Sequence, residues 1–539
     1  MCKYLYAASV QGIQSFIFQT NRLTEIVGAS ELVEEICTKA FRDLLDKSYD
    51  ENNLVIAAAG KVQYIFDSRE DCEKAVAEFP RKVMKMAPGI TISQAVVKYD
   101  DKDDFSRKID EVEKRLRAQR NRIQPPLTSG LLGMRRAPGT GLPATGKDFS
   151  KDFKHEGRFE FIDEATNRKQ WKDKPLTLCE KSFYGRWKYR VDGSHRPLED
   201  RVLRQVDRIP WLNDWIAVIH ADGNSLGQVV QDIGNNKENY KKFSLALDNA
   251  TIRSANDAFK LFSPQEQADP GDSSSDMEFR PTWIDDGQNE IPLRPIVLGG
   301  DDMTVIIRGD LAIPYLERYM HSFEEHTGKV DNGEKGEMAD ILGAEMDHLT
   351  VCAGVAFIKS SFPFYYGYSL AESLCGAAKK HAREWKNKNK LKEIPSCLMF
   401  HKVQDSFVES YDDIAKRELI AADGKSFRFG PYYLKEENKP EGFSTISELL
   451  NTCRTLCVKE GEEDIRPAIR KWLGFLHESS EKAHQWLRRV KEVHPGKSSL
   501  IDKLTDFTGH GNACMAYDAL ALSTIMSQVT KEDRHDSRD

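Results

Sequence analysis

The chain has 539 residues, enough for three or four domains of ordinary size, and 40% of them are hydrophobic, enough for sizeable cores. A net charge of −7 and a pI near 6.1 give no global pull toward nucleic acid or an anionic membrane, although a local basic patch stays open. No apolar run reaches bilayer length, and MCKYLYAASVQG lacks the basic, apolar and small-residue parts of a signal peptide, so the chain reads as cytoplasmic and without a membrane partner.

KYLYAASV opens the chain as an apolar strand, and roughly 19–46 read as a helix. NLVIAAAGKVQYIFD is a hairpin turning at Gly60, SREDCEKAVAEFPRKVMKM a helix and GITISQAVVKY a strand. RKIDEVEKRLRAQRNR follows as a charged helix. PPLTSGLLGMRRAPGTGLPATGKD is rich in Gly and Pro and reads as loop or linker, and RPLEDRVLRQVDRI as a further helix. WIAVI is a buried strand that breaks at HADGNSLGQVV into a Gly-containing turn and a helix running through roughly 240–262. Residues 263–292 are polar and rich in turn formers, so they read as an insertion or mobile loop. PIVLGGDDMTVIIRG sets two apolar arms around Gly-Gly-Asp-Asp, which is a hairpin signal. A helix at about 311–326, the strand LTVCAGVAFI and the amphipathic helix SLAESLCGAAKKHAREWKN complete this stretch. Beyond 405, FRFGPYYLKEENKPEGFSTISELLNTCRTL opens a region that reads as helices to about 530, and KEDRHDSRD reads as a disordered tail.

The order β-α-β-β-α-β thus occurs twice, which is the ferredoxin-like plan and predicts an α+β protein. The expected divisions are a first such domain over 1–125, a linker or small domain over 126–210, a second over 211–405 and a helical domain over 406–539. Aligned by element, Ser9-Val10-Gln11-Gly12 falls on His220-Ala221-Asp222-Gly223, and Ala59-Gly60-Lys61-Val62 on Gly299-Gly300-Asp301-Asp302. ITISQAVV falls on LTVCAGVA. Every acidic position of the second copy is then non-acidic in the first: Gln11 for Asp222, Lys61 for Asp301, Val62 for Asp302. The second copy can carry chemistry, while the first looks structural.

Asp222 ends a central strand, and Asp301 and Asp302 turn the neighbouring hairpin, so the three carboxylates can converge on one sheet edge. Converging carboxylates repel unless a cation neutralises them, and hard oxygen ligands suit Mg²⁺ or Mn²⁺. Such ions can activate a 3′-hydroxyl and steady a leaving pyrophosphate. Gly223, Gly299 and Gly300 let a nucleotide approach the backbone. Asn224 and Ser225 either bind a nucleotide or cap the following helix. Lys379 or Lys380 can reach a triphosphate, the bland reading of either being a solvated helix face. The competing reading of GGDD itself is an ordinary hairpin turn. The ten cysteines form no Cys-x-x-Cys pair, so a ribbon-type zinc site has no support, and Cys453 and Cys457 read as two core thiols.

SVQGIQSFIFQTNRLTEIVGASELVEEI, HADGNSLG, LGGDDMTVII, TVCAGVAFIKSSFPFYYGYSLAESLCGAAKK and FRFGPYYL together resemble the large polymerase/cyclase subunit of type III CRISPR effector complexes, over roughly 1–125 and 210–530. The resemblance implies two palm domains, the first degenerate, and a C-terminal helical domain. It implies polymerisation of ATP into cyclic oligoadenylates for antiviral defence, with Mg²⁺ or Mn²⁺ as cofactor. Carried over by motif, Asp222, Asp301 and Asp302 would hold the metal, Gly299 and Gly300 would face the nucleotide, and Lys379 or Lys380 would contact phosphates. Guide or target RNA and other effector subunits enter as partners by resemblance only, and a homodimer stays open. Two departures stand out. No His-Asp doublet precedes the first palm, the one at His535-Asp536 lying in the tail, so no DNase activity is expected. No cysteine marks the place of the family's zinc ribbon around MRRAPGTGLPATG. Both point to a divergent or stand-alone relative. Two other readings remain: a scaffold subunit whose catalysis is unused, and a cyclic-dinucleotide synthase using GTP. The basic stretches RKIDEVEKRLRAQRNR and LRRVKEVHPGK either contact an RNA backbone or are solvated faces.

Overall fold

The computed structural model describes residues 3–121 (except 59 and 101), 133–148, 159–170, 178, 187–191, 194–197, 215–262 (except 234–236), 277–278, 293–404 (except 332–333 and 344–345) and 410–526 (except 458–462 and 509–511). The C-terminal tail, including His535-Asp536, the thiols Cys2 and Cys179, all of 198–214 and, apart from 277–278, the stretch 263–292 lie outside these residues.

The first half begins with strand β1 (Lys3–Gln11) and a broken helical segment: α1 (Ile13–Ile17), α2 (Leu23–Glu35), a π-helical stretch Ile36–Ala40 and α3 (Phe41–Leu45). The helix expected over roughly 19–46 starts at Leu23, after an extended Arg22 held by Glu25 and Glu160, and runs through the π-helical stretch to Leu45. The hairpin β2 (Leu54–Ala58) and β3 (Lys61–Phe66), helix α4 (Arg69–Met86), strand β4 (Thr91–Tyr99) and helix α5 (Phe105–Arg120) follow. Ser68 and Asp104 start the two helices by accepting from their first-turn N–H groups. The sheet order is β2-β3-β1-β4. Strand alternation sends Tyr6, Ala8 and Val10 to the core under α2–α4, and Leu5 and Ala7 to a second core under α5.

The stretch read as linker carries structure of its own. β5 (Gly146–Asp148) and β6 (Glu160–Ile162) pair, and α6 (Glu164–Lys169), capped by Asp163, packs on α2. The hairpin β7 (Trp187–Val191) and β8 (Ser194–Pro197) takes Arg196 and Pro197 out of the helix expected there.

The second half repeats the plan of the first. It comprises β9 (Trp215–Gly223), α7 (Leu226–Ile233), α8 (Lys237–Phe259) and the short β10 (Met277–Glu278), then the hairpin β11 (Leu293–Gly299) and β12 (Asp302–Arg308). Helix α9 (Ala312–His326), a small hairpin β13 (Val330–Asp331) and β14 (Glu334–Lys335), strand β15 (Val351–Lys359) and helix α10 (Phe364–Asn389) complete it. β10 runs parallel to β7, so the stretch read as a loop contributes a strand to a three-stranded sheet. The helix expected through roughly 240–262 is preceded by the separate α7.

The main sheet has six strands in the order β11-β12-β9-β15-β16-β17. β16 (Cys397–Lys402) lies parallel to β15 after the α10 crossover. β17 (Tyr432–Tyr433) comes from FRFGPYYL, so the region expected to be helical opens with an edge strand of this sheet. Its helices then follow as α11 (Tyr411–Glu418, ahead of β17), α12 (Ile446–Leu456), α13 (Arg466–Glu478), α14 (Ser480–Val493), α15 (Ser498–Thr505) and α16 (Ala516–Met526). Among the described residues no helix is long and apolar enough to cross a membrane.

The internal repeat is visible in the register. Both hairpins close over two residues, Ala58 opposite Lys61 and Gly299 opposite Asp302. Each carries a one-residue bulge at the equivalent place, Val55 and Ile296, both buried. The pairing also corrects the alignment. Lys61 faces Ser9 as Asp302 faces Asp222, so Ser9, Gly60 and Lys61 occupy the acidic positions, not Gln11, Lys61 and Val62. Matching the glycines by sequence misplaces the turn, because the left-handed residue is the second of the loop in one copy (Gly60) and the first in the other (Gly300).

Asp518 on α16 is buried and accepts from Tyr432 Oη at 2.8 Å, pinning the last helix to the edge strand. Burial pushes its carboxyl up to about 7. A raised acid favours the fold fully below its unfolded pKa, and this contribution is lost as pH rises through the folded value. Asp518→Asn is therefore expected to raise Tm more at pH 8 than at pH 5. Equal shifts at both pH values would show that Asp518 does not titrate with folding.

Candidate active site

β9 delivers Asp222 next to its end, and the hairpin beside it presents Asp301 in its turn and Asp302 as the first residue of β12. Each offers a carboxylate oxygen, and these oxygens all lie within 4.8 Å of one another. Burial, followed by the neighbouring carboxylates, pushes the carboxyls of Asp301 and Asp302 up.

The turn is built for close approach. A Cβ at Gly223 would lie 2.8 Å from Asp301 Cβ, so only glycine lets the strand end and the turn come this near. Gly300 is left-handed, and α8 holds it from behind: its N–H donates to Asp248 Oδ1 at 3.2 Å, and Thr251 Oγ1 donates to its carbonyl at 2.5 Å. Gly299 ends β11 on the side of Asp302.

Lys379 reaches in from α10, its Nζ 2.6 Å from Asp222 Oδ2 and 2.7 Å from the Gly223 carbonyl. Lys380 is exposed on the neighbouring face of the helix. Asn224 does not face the turn's open side. Its side chain is fully buried and donates inward to Thr350 Oγ1 at 3.0 Å and Cys352 Sγ at 3.3 Å, so it ties the turn to β15 and is misplaced as a nucleotide contact. Ser225 is left-handed and supplies its carbonyl to the first N–H groups of α7.

Sequence reasoning missed the first half's share of the site. A cavity of about 290 Å³ separates the two halves beside Asp302, lined among others by Gln14, Glu34, Gly60, His220, Thr304 and Tyr368. Gln14 Nε2 donates to Tyr368 Oη at 2.6 Å, and Phe18 stacks on the Tyr368 ring, closing the halves over this space. Burial lowers the pKa of His220, whose Nδ1 sits 3.2 Å from Thr304 Oγ1. The one hint in the sequence was the repeat itself, since two copies of one plan can share a symmetric interface. Asp248 and Thr251 carried no signal, because an acid and a hydroxyl on an amphipathic helix are ordinary surface residues.

Residues 215–392 match the family model for Cas10/Cmr2, second palm domain. This is a Cas10-like chain. The matched span takes in β9, the Gly-Gly-Asp-Asp hairpin, β15 and α10, so the three aspartates and Lys379 all lie within it. Its fold resembles that of Csm1 from T. onnurineus, with a TM-score of 0.54 and 14% identity, over 97% of this chain and 69% of that one. A Csm1-Csm4 cassette in complex with pppApApA matches with a TM-score of 0.56 at 12% identity, over 97% and 69%. A Csm1-Csm4 cassette in complex with cA4 matches with a TM-score of 0.52 at 13% identity, over 97% and 70%. No curated protein matches the sequence.

Proposed function

We propose that this Cas10-like chain is a metal-dependent nucleotidyltransferase that converts ATP into cyclic oligoadenylate within a type III CRISPR effector. The observation that carries the reading is the convergence of Asp222, Asp301 and Asp302 within 4.8 Å at a glycine-lined turn of the palm sheet. The two repeated halves are read as palms over 1–125 and 211–405, joined by 126–210 and followed by a helical domain over 406–539. The likeness to cassettes solved with pppApApA and cA4 supports adenylate chemistry.

The donor set fits a hard divalent ion: three close carboxylate oxygens, brought together where Gly223 has no Cβ to hold Asp301 away. Mg²⁺ or Mn²⁺ held by Asp222, Asp301 and Asp302 would supply Lewis-acid polarisation and a lowered hydroxyl pKa. Lys379 exchanges its bond to Asp222 for a phosphate oxygen, a point charge placed for the triphosphate. Gly299 and Gly300 keep the backbone open to that nucleotide. Gln14 and Tyr368 border the space beside Asp302, where a second nucleotide fits. The 3′-hydroxyl of one nucleotide attacks the α-phosphate of the other, the 3′–5′ bond forms, and pyrophosphate leaves.

The test is incubation with Mg²⁺ or Mn²⁺ and each NTP, alone and in the native complex, with products identified by mass spectrometry. A cyclic adenylate supports the reading, a product from GTP alone replaces it with a cyclic-dinucleotide synthase, and no product in the complex replaces it with a scaffold. Lys379→Met is expected to lower kcat/KM for ATP about 10- to 100-fold, the worth of a charge-assisted bond. Lys380→Met should leave it unchanged. Equal losses would remove the assignment of Lys379.

A further inference from the structure

The repeat leaves one edge of the first half open. Among the described residues its sheet ends at β4, while the matching strand of the second half, β15, is followed by β16 and β17. Ser9 faces Ser93 as Asp222 faces Cys352, and Ser9 stands in the place of Asp222, so Ser93 corresponds to Cys352. Five residues on, Lys98 corresponds to Phe357. Phe357 pairs with Lys402 of β16, and its carbonyl accepts from the Val403 N–H at 2.9 Å. Nothing among the described residues makes that bond to Lys98.

β4 is nine residues long and carries no proline or bulge, the devices that commonly blunt such an edge. Arg115 Nη1 donates to the Val96 carbonyl at 2.8 Å, so that carbonyl points away from β1. By the alternation of a strand, the backbone groups of Ile92, Gln94 and Lys98 point the same way. Among the described residues Arg115 is the only cover of this row. A groove of about 640 Å³ follows the edge, with Cys72 and Val76 of α4 on one side and Lys108, Glu111 and Arg115 of α5 on the other. The cations of these walls are paired: Arg69 with Glu73, Arg115 with Glu111 and Lys108 with Asp103. Lys98 is exposed and has no ion partner among the described residues. A groove between two helices admits a single strand and hinders the helix-flanked edge of a second copy. Main-chain bonds to such an edge give affinity, and alternate side chains give specificity.

We propose that the β4 edge docks an extended segment of another protein chain, which lies parallel to β4 as β16 lies to β15. The segment sets apolar side chains over Val76 and Val96 and places a carboxylate opposite Lys98. This role stands whether or not the acidic cluster is catalytic. The probe is a labelled peptide copying residues 396–403, SCLMFHKV, and its Lys402→Glu form, which puts the carboxylate at the position opposite Lys98. Each is titrated into the full chain under reducing conditions and read by fluorescence anisotropy. The expected result is saturable binding, at least about threefold tighter for the glutamate peptide, with that order reversed in Lys98→Glu. Val96→Pro is expected to weaken both at least about tenfold, because it removes an N–H that faces the groove and takes no bond from β1. Lys98 is exposed, so Lys98→Glu keeps the fold, and Tm checks both variants. Hydrogen exchange adds a readout without peptide: the amides of Gln94, Val96 and Lys98 should exchange at least about 10²-fold faster than those of Ala95 and Val97. No binding of either peptide would overturn the proposal, as would binding that both variants leave intact. Amides of Gln94, Val96 and Lys98 as slow as their neighbours would overturn it by showing that this chain covers its own edge. A dimer in light scattering that Val96→Pro dissolves would overturn it in favour of a second copy.

Discussion

Asp301→Ala/Asp302→Ala is expected to lower metal-dependent product formation by at least about 10³-fold, several kcal/mol of transition-state stabilisation, while leaving the fold intact or firmer. The two carboxyls sit half-buried beside Asp222 at mutual distances that put like charges together, and both are pushed up in pKa by that setting. In EDTA their removal relieves repulsion, so the variant should melt at or above the parent temperature. With Mg²⁺ the order should reverse, because an ion that binds only the folded parent stabilises it by about 2.7 kcal/mol at a hundredfold excess over Kd, and the variant gains nothing. Scanning calorimetry with and without the ion reads this directly. A parent whose Tm ignores Mg²⁺ and Mn²⁺, or a variant that still makes product, would remove the metal centre from this turn.

Gly354→Ala should unfold the second half more than any surface change. Gly354 lies in the middle of β15, where α10 crosses the sheet so closely that an added Cβ would sit 1.9 Å from the Ala371 carbonyl oxygen and 2.5 Å from Cys375 N. These are backbone atoms of a 26-residue helix, so no side-chain rotation makes room. The helix must lift off the strand, at about 3 kcal/mol, the upper range for overpacking. Because α10 also carries Lys379 to Asp222, the same lift should weaken ATP use in whatever protein stays folded. Denaturant unfolding gives the first effect and kcat/KM on the folded fraction the second. A loss below about 1 kcal/mol would mean that the helix does not pack this closely.

The sequence alone was enough for the main elements of the two repeats and for the meeting of three aspartates. Period-two and helical patterns are local, and a two-residue hairpin beside a strand end leaves little freedom in where Asp222, Asp301 and Asp302 can go. Register was not legible. Only the observed pairing of Lys61 with Ser9 shows which residues of the first half stand in the acidic places, because glycine marks a turn without saying which loop position it takes. β16 and β17 were also hidden. A short apolar run such as SCLMFHK suits a buried helix or a strand equally, and Tyr432–Tyr433 becomes a strand only because β16 offers it an edge. The inward turn of Asn224, the choice of Lys379 over Lys380 and the clamp of Asp248 and Thr251 on Gly300 depend on contacts across 49 to 157 positions of sequence. Such contacts arise from how helices settle on a sheet, and no local pattern records that packing.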